Sequence, residues 1–323
     1  MARHYRSDQR QNAPVSTEIT GYAVSTLLFL YQRTGDSAYL DAALRAARFL
    51  TRMAWDARLG TFPFEHSVNG ASRFTYFFDC GIIVRGLLHA WRVTDDSEFR
   101  DTAIAAGRAM LADFPGEDGI HPILALPEKR PLAWEPRWSA SPGCYQLKSA
   151  LAWHDLFEVT GESAFQSGYE AVLQAALDNH REFLPGESDP ARIMDRLHAY
   201  AYFLEGLLPV LHRPDCAAAF RTGVDRVARY LREIAPVFVR SDVYAQLLRA
   251  RLLGETLDES AAMHEAEQAA TFQINTGGFL FGRKQGEDLP FVNPVSTAFC
   301  VQALALWHDR LTGRPLFDRQ TLI

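Results

Sequence analysis

Six stretches of this chain are rich in Leu, Ala and other small residues, and each opens directly after an aromatic or polar loop. They read Glu18-ITGYAVSTLLFLY, Asp79-CGIIVRGLLHAW, Cys144-YQLKSALAWHDLF, Leu197-HAYAYFLEGLLPVL, Asp242-VYAQLLRARLLG and Ser296-TAFCVQALALWHD, with openings 61, 65, 53, 45 and 54 residues apart. A period of this kind is the mark of one supersecondary unit used repeatedly, because a single helical hairpin cannot bury its own apolar face. The unit here is helix, turn, second helix and long loop. The predicted fold is therefore all-α, an (α/α)6 toroid forming a single domain over residues 1–323. The six stretches form its inner ring, and the loops before them converge on a concave mouth.

The turns support the repeat. Thr34-Gly35-Asp36-Ser37, Thr94-Asp95-Asp96-Ser97 and Thr160-Gly161-Glu162-Ser163 lie 60 and 66 residues apart, followed at the same offset by Tyr39, Phe99 and Phe165. Gly or Asp stops the first helix, and Asp or Ser caps the second. The second helices are amphipathic: Leu40, Ala43, Leu44, Ala47 and Leu50 share a stripe, with Asp41, Arg45 and Arg48 opposite. Ile82-IVRGLLHAW and Ala199-YAYFLEGLL are apolar nearly all round, as expected of helices covered on most sides. The fourth and fifth repeats are less regular, and the sixth outer helix is expected to be only the short tail after Pro315.

Composition narrows the function classes. With 323 residues, 48% of them hydrophobic, the chain can bury a large core. A net charge of −6 and the lack of a long Lys/Arg cluster argue against nucleic acid as a partner. No run is long enough to span a membrane, and the first residues lack the apolar core of a signal peptide, so the expected location is cytoplasmic. Four cysteines without a CxxC pair point to neither a disulfide framework nor a zinc knuckle; Cys80, Cys144 and Cys300 read as buried packing residues, and no metal or other cofactor is expected. Nothing in the sequence sets the oligomeric state.

Gly21-Tyr22-Ala23 followed by LLFLYQRTGDSAYLDAALRAARFL, the phrase FFDCGIIVRGLLHAWRVTDD, and GGFLFGRK with NPVSTAFCVQALALW together resemble the six-hairpin glycosidase-like toroids. That superfamily includes glycoside hydrolases, unsaturated-uronide hydrolases, sugar 2-epimerases and, in related toroids, polysaccharide lyases and uronate epimerases. The resemblance implies a carbohydrate substrate. Gly277-Gly278-Phe279 is similar to repeats of terpenoid cyclases and prenyltransferases, but the DxDD acid motif is missing. Gly143-Cys144-Tyr145 resembles a zinc motif of lanthipeptide cyclases, without the Cys-His-Gly that should follow.

Helix starts at the mouth carry unsatisfied N–H groups and the positive end of the helix dipole, so polar residues there are the site candidates. Glu18, Asp79, Asp195, His198 and Asp242 are the candidate catalytic groups. Trp134, Glu135, Arg137, Trp138, Tyr145, Tyr200, Arg240, Tyr244 and Asn293 are the candidate sugar contacts, since indole faces stack on sugar C–H faces while Arg and Glu bind hydroxyls or a carboxylate. Each has a purely structural alternative. Asp79, Asp195 and Asp242 sit where an N-cap would sit, His198 can be a core histidine, and the Trp134–Trp138 loop can be clamped down by its own indoles. Glu205 in an apolar inner helix is either a ring-lining functional acid or the partner of a buried Arg such as Arg85.

Two chemistries can use this inventory. Glycoside hydrolysis needs paired carboxyl groups, one protonated and one ionised. A lyase or C5-epimerase needs His or Tyr to move a proton, with Arg or Asn neutralising the sugar carboxylate. Hydrolysis is the primary expectation; a terpenoid-cyclase-like enzyme and a non-catalytic carbohydrate-binding protein are the remaining alternatives.

Overall fold

The computed structural model describes residues 1–67, 70–71, 73–254, 256–315 and 321–323. Among them run helices α1 (Thr17–Thr34), α2 (Ser37–Phe49), α3 (Phe77–Thr94), α4 (Ser97–Asp113), α5 (Gln146–Thr160), α6 (Ser163–Phe183), α7 (Pro190–Leu207), α8 (Pro214–Ile234), α9 (Ser241–Leu253), α10 (Glu259–Ala270) and α11 (Pro294–Leu311). None of the described helices is long and apolar enough to cross a membrane. The chain forms two compact units. The first holds Met1–Arg3, residues 14–176 and residues 321–322; the second holds His4–Ala13, residues 177–315 and Ile323.

In the first unit α1, α3 and α5 are the inner helices. Their turns into α2, α4 and α6 share one hydrogen-bond pattern. Thr34, Thr94 and Thr160 each donate to the carbonyl four residues back and accept from the backbone N–H two residues on, at 3.2, 3.3 and 3.1 Å. Gly35, Asp95 and Gly161 take the left-handed conformation that stops the helix, with φ of 72°, 57° and 72°. Helix α3 is buried without a break from Asp79 to Ala90, whereas α2 buries only Ala43 and Ala47 of its stripe. Glycines let the inner helices touch: a Cβ on Gly86 would stand 2.8 Å from the Gly21 carbonyl oxygen, and one on Gly81 would stand 2.5 Å from that of Ser149. Arg85, inside α3, pairs with Asp155 at 3.0 Å and donates to the Leu322 carbonyl at 3.1 Å.

The second unit has α7, α9 and α11 as inner helices, with α8 and α10 as outer partners. Helix α8 buries Cys216, Ala219, Phe220, Gly223, Val224, Val227, Ala228, Leu231 and Ile234, the spacing of one apolar face. Glu205 is fully buried and paired, but with Arg249 rather than Arg85. Arg249 also donates to Gln302 at 3.0 Å and to the Ile323 carbonyl at 3.2 Å. Two helix starts differ from expectation. Asp189 caps α7 and Pro190 stands at its first position, so the helix opens seven residues before Leu197; Asn293 and Pro294 likewise start α11 just before Ser296. The sixth outer helix expected after Pro315 would fall at residues 316–320, outside the described residues.

Small antiparallel sheets lead into the inner helices. Val15–Ser16 pairs with Glu65–Ser67 ahead of α1, and Phe74–Tyr76 with Ile123–Ala125 ahead of α3. Phe238–Arg240 pairs with Gly282–Lys284 ahead of α9, and Phe291–Val292 with Tyr5–Arg6 ahead of α11. These ladders fix the direction in which the chain enters each helix, and hence where its first side chains point.

Candidate active site

Glu18 is the second residue of α1. Its helix is capped by Ser16, whose Oγ accepts from the Ile19 N–H at 3.2 Å, so the Glu18 carboxyl is not needed as a cap. Asp79 is the third residue of α3 and is only 4% exposed. The cap residue of α3 is Tyr76, so Asp79 is not an N-cap, and its Oδ2 is buried with no hydrogen-bond partner. Burial raises the Glu18 carboxyl to about 7, opposed by the nearby Arg3 guanidinium. Asp79 is raised well above the carboxylate range, first by burial and then by the negative field of Glu18. Two carboxyl groups that oppose each other's ionisation titrate as a pair and hold one proton between them into the neutral range. Arg3 is engaged elsewhere, pairing with Glu65 at 2.9 Å.

Around this pair the first unit gathers aromatic and charged side chains. Tyr76 packs tilted against Phe64 with ring centroids 4.9 Å apart, and Tyr145 packs edge-on against Trp138 at 5.0 Å and near Phe78 at 6.1 Å. The Tyr145 phenol donates to the Ser141 carbonyl at 3.0 Å, and burial raises its pKa, with Arg137 opposing the rise. The loop carrying Trp134, Glu135, Arg137 and Trp138 is tied down by Glu135 N–H to the Ala140 carbonyl at 3.3 Å and by a short 3-10 turn, Trp138–Ala140. It is not sealed by both indoles: Trp138 is half-buried, while Trp134 is 47% exposed.

The second unit holds a different cluster. Arg240, the residue before α9, grips both Asp242 oxygens at 2.9 and 2.8 Å and reaches Asp195 at 2.8 Å. Ser296 also donates to Asp242, at 3.1 Å. Burial would raise Asp242, but Arg240 and His198 outweigh it and hold the carboxyl below the usual range. His198 shares its Nδ1 with Gln246 Oε1 at 2.7 Å, while the Gln246 amide donates to the His198 carbonyl at 3.4 Å. Gln246 therefore accepts through its oxygen, so Nδ1 carries the proton and Nε2 is the unprotonated ring nitrogen. Burial, reinforced by Arg240, lowers the imidazole to about 4 and keeps it neutral.

Several expectations change here. Asp195 and Asp242 are not N-caps, because Asp189 and Arg240 occupy those positions. Tyr200 is completely buried, its hydroxyl shared with His180 at 2.8 Å, and Tyr244 lies edge-on to His264 of α10 with Glu265 as its charged neighbour. Both turn away from the helix starts. Each stands two residues from a candidate, His198 or Asp242, and two helical steps of about 100° each point to the opposite face, a signal present in the sequence. Asn293 is spent as the cap of α11, accepting from Val295 N–H at 2.8 Å. All four cysteines are buried, and the Cys80 thiol lies against the Thr75 and Thr61 hydroxyls. Among the described residues, His154, Asp155 and Glu158 lie close enough to share a cation, but Asp155 is already held by Arg85. Tyr76 was not anticipated; an aromatic just ahead of a helix start was the available signal.

No protein-family profile matches the sequence, and no curated protein matches it. Solved structures do. The chain is similar to a D-mannose isomerase, with a TM-score of 0.73 at 9% identity over 96% of this chain and 92% of that one. It is similar to the cellobiose 2-epimerase of Spirochaeta thermophila DSM 6192, with 0.71 at 15% over 92% and 87%. It is also similar to the unsaturated glucuronyl hydrolase of Bacillus sp. GL1, with 0.66 at 15% over 96% and 92%. These likenesses show the fold, an (α/α)6 toroid of helical hairpins.

Proposed function

We propose that this chain is a carbohydrate-active enzyme, a glycoside hydrolase whose paired carboxyl groups are Glu18 and Asp79. One observation carries the reading: at the starts of two inner helices in direct contact, two carboxyls with no ion pair among the described residues are both raised by burial, and the charge of Glu18 raises Asp79 further. A pair sharing one proton supplies both forms that hydrolysis needs. The protonated member gives its proton to the glycosidic oxygen as the C–O bond breaks, and the ionised member attacks the anomeric carbon or takes a proton from the incoming water. Trp134, Trp138, Tyr145 and Arg137 supply stacking and polar contacts to the sugar. The fold shared with sugar-processing enzymes supports a carbohydrate substrate. Elimination needs a cation to neutralise a sugar carboxylate; Arg3 is paired with Glu65 and Arg240 with Asp242 and Asp195, so that role would fall to Arg137. Buried thiols suit the reducing cytoplasm expected from the sequence.

A second reading rests on His198, whose neutral imidazole and assigned Nε2 base suit proton transfer at a sugar carbon, the chemistry of an epimerase or isomerase. The two separate in one experiment on a panel of oligosaccharides in D2O. Hydrolysis releases new reducing ends and leaves carbon-bound hydrogens in place. Deuterium at C2 or C5 without new reducing ends sinks hydrolysis in favour of His198.

A further inference from the structure

Tyr76 ends the strand Phe74–Tyr76 and is also the residue from which α3 starts, with an extended backbone at φ −117° and ψ 134°. Its pairing with Ile123 fixes that backbone, so the side chain leaves at the helix start, three residues before Asp79. The ring is half-buried and backed by Phe64 at 4.9 Å, which sets its plane. Its hydroxyl has no hydrogen-bond partner among the described residues, which leaves its O–H available as a donor. Charged groups surround it. Burial comes first in raising its pKa, then Asp79, with Glu135 and Glu65 adding to the rise and Arg137 opposing it. The phenol thus keeps its proton wherever the carboxyl pair works, so it can donate a hydrogen bond but cannot serve as a base.

We propose that Tyr76 is a further residue of this site that touches the substrate, donating a hydrogen bond to a hydroxyl oxygen of the sugar held beside Asp79. The proposal rests on the hydrolytic reading of Glu18 and Asp79. The unused donor, the fixed ring and the adjoining carboxyl together form one side of a sugar subsite. Its ligand class is a sugar with a hydroxyl next to the cleaved bond.

The test compares wild type, Tyr76→Phe and Glu18→Gln on neutral cello-, malto- and manno-oligosaccharides. Reducing-end release is measured, and binding of the same sugars is followed by calorimetry. Tyr76→Phe keeps the ring and its packing against Phe64, so a tenfold rise in KM is expected with kcat within about twofold and the pH profile unmoved. A substrate lacking the contacted hydroxyl shows the same loss with wild type and no further loss with Tyr76→Phe. Unchanged kcat/KM in Tyr76→Phe, with Glu18→Gln inactive, overturns the Tyr76 proposal alone; a shifted pH profile overturns its role as a fixed donor. Full turnover in Glu18→Gln overturns the hydrolytic reading. If wild type cleaves none of the panel, that reading falls too, and binding decides Tyr76: tenfold weaker binding in Tyr76→Phe supports it, equal or absent binding overturns it.

Discussion

In the first unit, Glu18 and Asp79 have no ion pair among the described residues, and burial holds both carboxyls above the usual range, Glu18 against the weak field of Arg3. In the second, Asp242 opens the corresponding inner helix, yet Arg240, Ser296 and His198 surround it and keep it ionised. Position in the repeat is the same; the difference is one guanidinium. Burial penalises a charge in both places, and only in the second does a cation repay the penalty. A carboxyl with its partner in place is part of the frame. A carboxyl left without one is unstable as an anion, and that instability allows it to hand a proton to a substrate.

Breaking the second cluster gives the largest expected effect. Asp242→Asn leaves Arg240 buried with only the half-exposed Asp195, and stability in urea unfolding should fall by about 3–5 kcal/mol. Asp195→Asn should cost no more than about 1 kcal/mol, because that carboxylate faces water. Equal losses from the two would erase the distinction between a clasped and a peripheral acid.

Glu18→Gln and Asp79→Asn test the other side. Each should lower turnover by roughly a hundredfold or more while the fold persists. Full turnover in both would remove carboxyl catalysis from these positions.

The two regions should also respond to pH in opposite senses. Glu18 has a raised folded pKa, so its stabilising contribution is complete below about 4.5 and is lost as pH rises through about 7. Asp79 follows the same sense. Asp242 has a lowered folded pKa; its contribution is present above 3.8 and is lost as pH falls through its depressed value. Glu18→Gln should therefore raise the melting temperature at pH 8 by roughly 2 °C or more and leave it unchanged at pH 4. A lower melting temperature at pH 8 would mean that the Glu18 charge is stabilised by something other than the weak field of Arg3.

The smallest effect sharpens the question of caps. Ser16→Ala should cost about 1 kcal/mol, since its hydroxyl oxygen caps α1, whereas Asp79→Asn should cost α3 no cap at all. Thermal unfolding of both variants at pH 5 checks this.

Much of the frame was legible before the structure. The period of the inner stretches and the Thr-Gly/Asp-Asp/Glu-Ser turns act through local hydrogen bonds and helix-stop geometry, and all three turns form as written. Helix starts were less legible where a stronger local signal was passed over: Asp189-Pro190 opens α7 ahead of the apolar run, and Tyr76 rather than Asp79 stands at the cap of α3. The facing of Tyr200 and Tyr244 was also available, because residues two apart on a helix cannot line the same wall.

The sequence by itself determined the repeated helical hairpins, the amphipathic outer helices and the placement of acids near the inner-helix starts, because propensity, capping and apolar spacing act over a few residues. Only the tertiary structure decided which acids are paired. Whether a carboxyl gains a cation depends on groups brought in from distant parts of the chain: Asp195 reaches Arg240 across 45 residues, and Arg3 is drawn to Glu65 rather than paired with Glu18. Electrostatic energy depends on distance and on exclusion of water, and neither is fixed until the helices pack.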